Sequence, residues 1–276
     1  MANLYSISNR ANVNAYSYQD KYIFVYDDHR TLLNVLFEAK KLNSFPQTPN
    51  LIYFDRHDDA CETKPLSGLL DLMGAEDLST ITNKQFWSFV EFDLSPLDDD
   101  WLLTGMELDL IKDAIVIGQV DNSNIDKLGN KYTSEDEVEH ELYCIPHLEH
   151  SLGGRGCLGD SIIKEPYYEN VRNIMQYNQG YFFHKEIRPF VLDFDLDCFT
   201  TVTREKTHAW PEVVFKNEYV DNRTVRYFMQ KLLKRSSFIT ICREPGSCGG
   251  IGEANKILHY LDKYFFDGNL NTIPVF

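Results

Sequence analysis

Residues 50–60 read NLIYFDRHDDA, an almost continuously apolar run that passes directly into a cluster of charged side chains. Four further apolar runs share its β-branched and aromatic character. They are Tyr22–Tyr26 (YIFVY), Ala114–Val120 (AIVIGQV), Pro189–Asp195 (PFVLDFD) and Ser237–Cys242 (SFITIC). Runs that do not alternate between apolar and polar residues are typical of strands buried on both faces, as in a parallel sheet.

Segments with helical spacing of apolar residues lie between these runs: His29–Leu42, Trp101–Lys112, Glu165–Tyr177, Tyr219–Leu233 and Glu253–Phe265. The acidic run Asp98–Asp100 is a candidate cap for the second of them, and a glycine-rich loop precedes the last. Strands that alternate with helices predict an α/β fold with a mainly parallel sheet flanked by helices. We expect one domain over residues 1–276, with an irregular insertion at about 118–160 that is a candidate lid.

The chain is acidic, with a formal net charge of −15, and 43% of its residues are hydrophobic. An acidic surface argues against nucleic acid and against an anionic membrane surface as partners, and favours cationic ligands. No signal-peptide or membrane-spanning run occurs in the sequence, so we expect a cytoplasmic protein. The six cysteines form no CxxC pair. We expect them to be reduced, with Cys198 and Cys242 in or near the core.

The charged cluster after residue 54 has a spacing that suits metal binding. Asp55, His57 and Asp59 point to the same side of an extended backbone. Two carboxylates and an imidazole then converge, which suits a hard divalent cation. A polar loop without a ligand is the simpler interpretation of this segment.

Charged residues also end three other apolar runs. Asp193, Asp195 and Asp197 alternate with apolar residues, and they repel one another unless a cation neutralises them. His29 follows one run, and Glu244 follows another. The carboxylate of Glu244 can bind a cationic group of a substrate, or it can form a salt bridge with Arg243. Ligands of open α/β sheets bind beyond the carboxyl ends of the strands, so these positions are functional candidates.

In this order along the chain, the residues resemble the arginase–deacetylase superfamily. Its ureohydrolase pattern has a His after the first strand, then DxHxD, then DxD, then a Glu near the end of the last core strand. The forms YFDRHDDA and LDFDLDCF look like the UPF0489 group, which is similar to peptide arginases that make ornithine in ribosomally made peptides. The resemblance implies a three-layer arginase-like fold with about eight strands.

The same resemblance implies a site with two Mn²⁺ ions. His29 and Asp59 would bind one ion, His57 and Asp197 would bind the other, and Asp55 and Asp195 would bridge them. A shared water would attack the guanidinium carbon while hydrogen-bonded to Asp59, and Glu244 would hold the guanidinium, so these two are the catalytic candidates. Alignment on Phe194 puts the ligands at Asp195 and Asp197. Asp193 then takes the position of a family Ser; the pair Asp193 and Asp195 is the alternative.

Two departures from the family pattern indicate a substrate larger than free arginine. Cys61 stands where arginases have an Asn, and the stretch Asp98–Gly105 lacks the His of the proton-shuttle loop. We therefore expect an arginine-containing precursor peptide as the partner and substrate. Shuttle candidates are His147, His150 and His208.

Three alternatives remain open. A small-molecule ureohydrolase would act on free arginine, agmatine or another guanidino compound. A zinc deacetylase-like amide hydrolase would need a pair of adjacent histidines, which the sequence lacks. A non-catalytic metal-binding protein would be expected to have lost ligands.

Overall fold

A computed structural model describes Leu4, Ile7 and residues 12–272, except residues 96, 98, 119–123 and 146–187. The strands of this part are β1 (Asn14–Tyr18), β2 (Lys21–Tyr26), β3 (Asn50–Phe54), β4 (Ala114–Ile117), β5 (Lys131–Thr133), β6 (Glu139–Ile145), β7 (Phe190–Asp195), β8 (Thr200–Thr203), β9 (Lys206–Ala209) and β10 (Ile239–Cys242). The α-helices are α1 (Thr31–Lys41), α2 (Leu66–Met73), α3 (Asn83–Phe92), α4 (Trp101–Glu107), α5 (Asn124–Lys127), α6 (Glu212–Phe215), α7 (Arg223–Arg235) and α8 (Ile251–Phe265). A 3-10 turn covers Leu196–Phe199 and a π-helical turn covers Lys216–Asp221.

Eight of the described strands form one sheet in the order β1-β2-β10-β7-β3-β4-β6-β5. The pairs β2/β10, β10/β7, β7/β3, β3/β4 and β4/β6 are parallel, and only the two edge strands pair antiparallel. The five strands predicted from continuous apolar runs are all among the six parallel ones. Strands β8 and β9 form a separate hairpin.

The central strands are buried because each presents apolar side chains to both faces. Ile52 and Phe54 pack in a core that contains residues of α6, α7 and α8. Leu51 and Tyr53 face a second core built with α1, α2, α3 and α4. The sheet therefore lies between two helical layers, and the predicted α/β class with a mainly parallel sheet is confirmed.

The helix predicted over Trp101–Lys112 is shorter, because α4 ends at Glu107. Asp109 adopts a left-handed conformation with φ of 52°, and the Leu110 amide donates to the Gly105 carbonyl, which turns the chain toward β4. The prediction that an acidic side chain caps this helix is wrong. Asp100 lies at the N-cap of α4, but its side chain makes no cap bond and accepts the Ser95 amide instead.

The helix predicted over Tyr219–Leu233 is divided in two. The π-helical turn ends at Asp221. Asn222, which follows it, has an extended backbone with ψ of 108°, and α7 begins at the next residue. The predicted helix Glu165–Tyr177 lies outside the described residues. Helices α2 and α3 were not predicted, although Thr82 and Gln85 form a capping box at the start of α3.

The region predicted as an irregular insertion contains regular structure where the chain is described. Strand β6 lies within it and pairs parallel with β4, so residues 139–145 belong to the main sheet. Cys198 and Cys242 are buried, as expected. No helix of the described residues is long and apolar enough to cross a membrane.

Candidate metal centre

The candidate site lies where four neighbouring strands of the sheet end. Strands β2, β10, β7 and β3 are adjacent and parallel, so the segments after them meet at one edge. These segments carry all the residues predicted for the site, namely His29, Asp55, His57, Asp59, Asp195, Asp197 and Glu244. The crevice at the carboxyl ends of parallel strands is the usual ligand site of open α/β sheets.

His29 forms the inner half of the site. Its Nδ1 lies 3.3 Å from Asp55 Oδ2, 3.1 Å from Asp59 Oδ2 and 3.1 Å from Asp195 Oδ2. All four side chains are buried. One ring nitrogen therefore faces three carboxylates. A cation bound between them could have the nitrogen and several carboxylate oxygens as ligands.

His57 forms the outer half of the site. Its Nδ1 lies 3.1 Å from Asp197 Oδ2 and 3.7 Å from Asp55 Oδ1, and its side chain is 56% exposed. Asp55 thus approaches both histidines, one with each oxygen. Two possible ligand groups, His29–Asp55–Asp195 and Asp55–His57–Asp197, share this carboxylate.

Short backbone turns aim the carboxylates. Asp55 Oδ1 accepts the His57 amide at 2.7 Å, and Asp195 Oδ1 accepts the Asp197 amide at 2.9 Å. These bonds use one oxygen of each group. The Oδ2 atoms of Asp55, Asp195 and Asp197 are buried and receive no hydrogen bond from the described residues. A buried polar atom without a partner costs free energy unless an ion or water satisfies it, so these three oxygens fit a cation.

Trp101 supports the inner half, a role that could not be predicted from its place at the start of a helix. Its Nε1 donates to Asp59 Oδ2 at 2.7 Å, and its ring lies 4.5 Å from the His29 ring between centroids. Asp59 has a left-handed backbone with φ of 47°. That conformation is uncommon for a residue other than glycine, and such residues cluster at functional sites.

Burial and mutual repulsion disfavour the charged form of these carboxylates. Burial, followed by repulsion from Asp59 and Asp195, raises the pKa of Asp55 well above its ordinary value. Burial and the charge of Asp197 raise the pKa of Asp195 to about 6. The neighbouring Asp197 carboxylate raises the pKa of His57 to about 9. The cluster therefore needs positive charge, which protons or divalent cations can supply.

Glu244 lies beside the cluster and is not paired with Arg243. The Arg243 guanidinium instead donates to both oxygens of Asp27, at 2.6 and 2.8 Å. Ligand atoms of Glu244, Asp195 and Asp197 lie within 4.8 Å of one another. Burial, then repulsion from Asp195 and Asp197, raises the pKa of Glu244 to about 11. A cation between these groups would allow Glu244 to ionise.

The two pairs of aspartates considered as metal ligands, Asp195 with Asp197 and Asp193 with Asp195, differ in where their side chains lie. Asp195 and Asp197 face the cluster, whereas Asp193 Oδ2 lies 2.8 Å from Nε2 of His29, on the side away from the other carboxylates. Among the shuttle candidates, His208 lies on β9 and takes no part in the described ligand groups. His147 and His150 lie outside the described residues.

Comparisons with known proteins find structural similarity but no match in sequence. No family model matches the chain, and no curated protein sequence matches it. Among solved structures, the chain is similar to the crystal structure of Helicobacter pylori arginase, with 10% identity and a TM-score of 0.44. That similarity covers 98% of this chain and 77% of the arginase chain.

If the cluster binds divalent cations, Mn²⁺ should raise the melting temperature of the protein, because an ion that binds only the folded state stabilises it. The gain is about 2.7 kcal/mol per ion when the free ion is at 100 times its dissociation constant. Asp55→Asn should abolish this rise. Without metal, the variant should melt at the wild-type temperature or above it, because one repelling charge has been removed. Differential scanning calorimetry with Mn²⁺ or with a chelator measures both effects.

Asp113→Asn is the matched control, since Asp113 is a buried carboxylate beside β4, away from the cluster, where it accepts the Glu141 amide. It should retain the full Mn²⁺ response. A normal Mn²⁺ response in Asp55→Asn would show that this cluster is not the metal site.

Proposed function

We propose that this protein is a binuclear metal-dependent hydrolase of guanidino groups that converts arginine residues of a peptide to ornithine and releases urea. One observation carries the proposal. Buried, unpartnered oxygens of Asp55, Asp195 and Asp197 converge with Nδ1 of His29 and of His57. Mixed oxygen and nitrogen ligands suit Mn²⁺, the ion we favour, and two ions sharing Asp55 account for both halves of the cluster.

The charge of the site fits a cationic substrate. Two divalent cations would balance the four aspartates that surround the histidines, namely Asp55, Asp59, Asp195 and Asp197. Glu244 then contributes one further negative charge at the edge of the cluster. A carboxylate can hold a guanidinium through charge-assisted hydrogen bonds, which are about twice as strong as neutral ones. Glu244 is therefore assigned to the substrate.

The reaction requires only water as a co-reactant. Hydrolysis breaks the bond between Nε of the arginine side chain and the guanidinium carbon, and it forms a carbon–oxygen bond from water. Both protons of the water go to the leaving nitrogen, so the products are ornithine and urea. Two divalent ions held by these residues would lower the pKa of a bound water and so supply hydroxide near neutral pH.

Two residues of the chain act on this water and on the substrate. Asp59, which Trp101 holds in place, accepts a hydrogen bond from the attacking water. Glu244 orients the guanidinium carbon toward it. Fixed geometry of this kind lowers the barrier because the reacting groups need no further ordering.

The surroundings of Cys61 favour a peptide over a free amino acid. The Cys61 thiol accepts the Asn124 side-chain amide at 3.4 Å, and a thiol is a weak partner for an α-carboxylate. A cavity of about 680 Å³ is lined by Ala60 and Cys61, which follow Asp59 in the chain. Three glutamates and one lysine are among its lining residues: Glu62, Glu107, Glu135 and Lys127. This volume lies within the usual range of ligand sites, and the excess negative charge suits a basic segment.

Urea release by the Mn²⁺-loaded protein tests the reaction and the substrate together. We expect urea from an arginine-containing peptide, with little from free arginine or agmatine. The peptide should lose about 42 Da per converted arginine, and the ratio of kcat/KM values gives the preference as a free energy. Urea from free arginine alone would replace the peptide assignment with a small-molecule ureohydrolase. Metal binding without urea from any guanidino compound would contradict the proposed function, and release of acetate from acetylated lysine would favour a deacetylase-like enzyme.

Glu244→Gln tests the substrate role of the carboxylate. The variant should retain both ions, while kcat/KM for the peptide falls roughly 10- to 100-fold, because a hydrogen bond to a charged group contributes about 1.5–3 kcal/mol. Glu139→Gln is the matched control, since Glu139 lies at the amino end of β6, away from the cluster, and pairs with Lys131; it should leave kcat/KM unchanged. Loss of an ion in Glu244→Gln would instead make Glu244 a metal ligand, and unchanged turnover would remove it from the substrate site.

A further inference from the structure

Asp193 is a fully buried carboxylate behind the metal centre. It lies on β7 in the middle of the sheet and is 0% exposed. Its Oδ1 accepts the Tyr26 hydroxyl at 3.2 Å and the Thr240 hydroxyl at 2.5 Å. Its Oδ2 lies 2.8 Å from Nε2 of His29. Side chains from β10, which pairs with β7, and from or just after β2, which lies beyond β10, therefore fix both oxygens of Asp193.

These contacts determine which nitrogen of His29 is available to a metal. An ionised carboxylate can only accept hydrogen bonds, so Nε2 of His29 must carry the hydrogen that it shares with Asp193. Nδ1 of the neutral ring then presents its lone pair to Asp55, Asp59 and Asp195. A histidine that binds a metal through one nitrogen commonly donates its other N–H to a carboxylate in this way.

We propose that Asp193 is a positioning residue that fixes the ring orientation and tautomer of His29 and thereby strengthens one of the two metal sites selectively. The inference rests on the metal centre of the proposed function but not on its substrate. Asp193 contacts Nε2, the ring nitrogen of His29 that points away from the cluster, and it belongs to no described ligand group. It therefore acts through the histidine and does not bind the ion.

The two halves of the centre differ in this support. Nδ1 of His57 faces Asp197 and Asp55, but within the described part of the chain no carboxylate is found at its Nε2. His57 is also more exposed than His29. The half that contains His29 should therefore bind its ion first and more tightly, and Asp193 should account for much of the difference.

Titration of the metal-free protein with Mn²⁺ tests this asymmetry directly. Isothermal titration calorimetry gives the two affinities, and electron paramagnetic resonance of the free ion counts the bound ions independently. The wild type should bind two ions with unequal affinities. Asp193→Asn should weaken the tighter site about 10- to 100-fold, the usual effect of removing such an outer partner, and leave the weaker site unchanged. His57→Ala should affect the weaker site instead.

Two further variants separate positioning from folding. The double variant Tyr26→Phe/Thr240→Val keeps the Asp193 charge but removes the hydroxyls that orient it, and it should weaken the same site by a smaller factor. Asp113→Asn removes a buried carboxylate elsewhere on the sheet and should change neither affinity. Equal weakening of both sites by Asp193→Asn, or no weakening of either, would overturn the inference. Complete loss of one ion in that variant would make Asp193 a ligand.

The outcomes distinguish this inference from the proposed function. Two ions bound by the wild type, with the tighter site weakened in Asp193→Asn, support the positioning role even if no guanidino compound is hydrolysed. Urea release together with unchanged affinities in Asp193→Asn supports the function and contradicts the positioning role. A wild type that binds no divalent ion contradicts both.

Discussion

Four buried carboxylates converge at one edge of the sheet, around a single histidine. Asp55, Asp59 and Asp195 all approach the same nitrogen of His29, and Asp197 lies beside them. Such a cluster is unfavourable without compensating positive charge. The fold tolerates it because turns and hydrogen bonds fix one oxygen of several of these groups and leave the other directed at a common point.

The parallel arrangement of the central strands produces this convergence. Strands β2, β10, β7 and β3 end side by side, so residues far apart in sequence meet at one edge. Their apolar side chains fill two cores, one on each face, which hold the strand ends in register. The buried polar contacts of Asp193 and Trp101 then orient His29 and Asp59 from behind. Packing and hydrogen bonding thus act on the same few side chains that would hold a metal ion.

The sequence predicted the centre of the sheet better than its edges. Strands such as β3 and β7 are continuously apolar because both faces are covered, and that pattern is visible without a structure. Edge strands such as β5 are short and mixed in polarity, so they carry little signal. The spacing of aspartates predicted which strand ends carry the cluster. It could not show that Asp193 faces the far side of His29 or that Trp101 contacts Asp59, because those contacts depend on how distant segments pack.

Anomalous diffraction at the manganese edge from a crystal grown with Mn²⁺ would locate the bound ions. Two peaks about 3.5–4 Å apart are expected, the usual separation in two-metal sites. One peak should contact Nδ1 of His29, the other should contact Nδ1 of His57, and Asp55 should contact both. A single peak, or peaks that Asp55 does not contact, would contradict the binuclear centre.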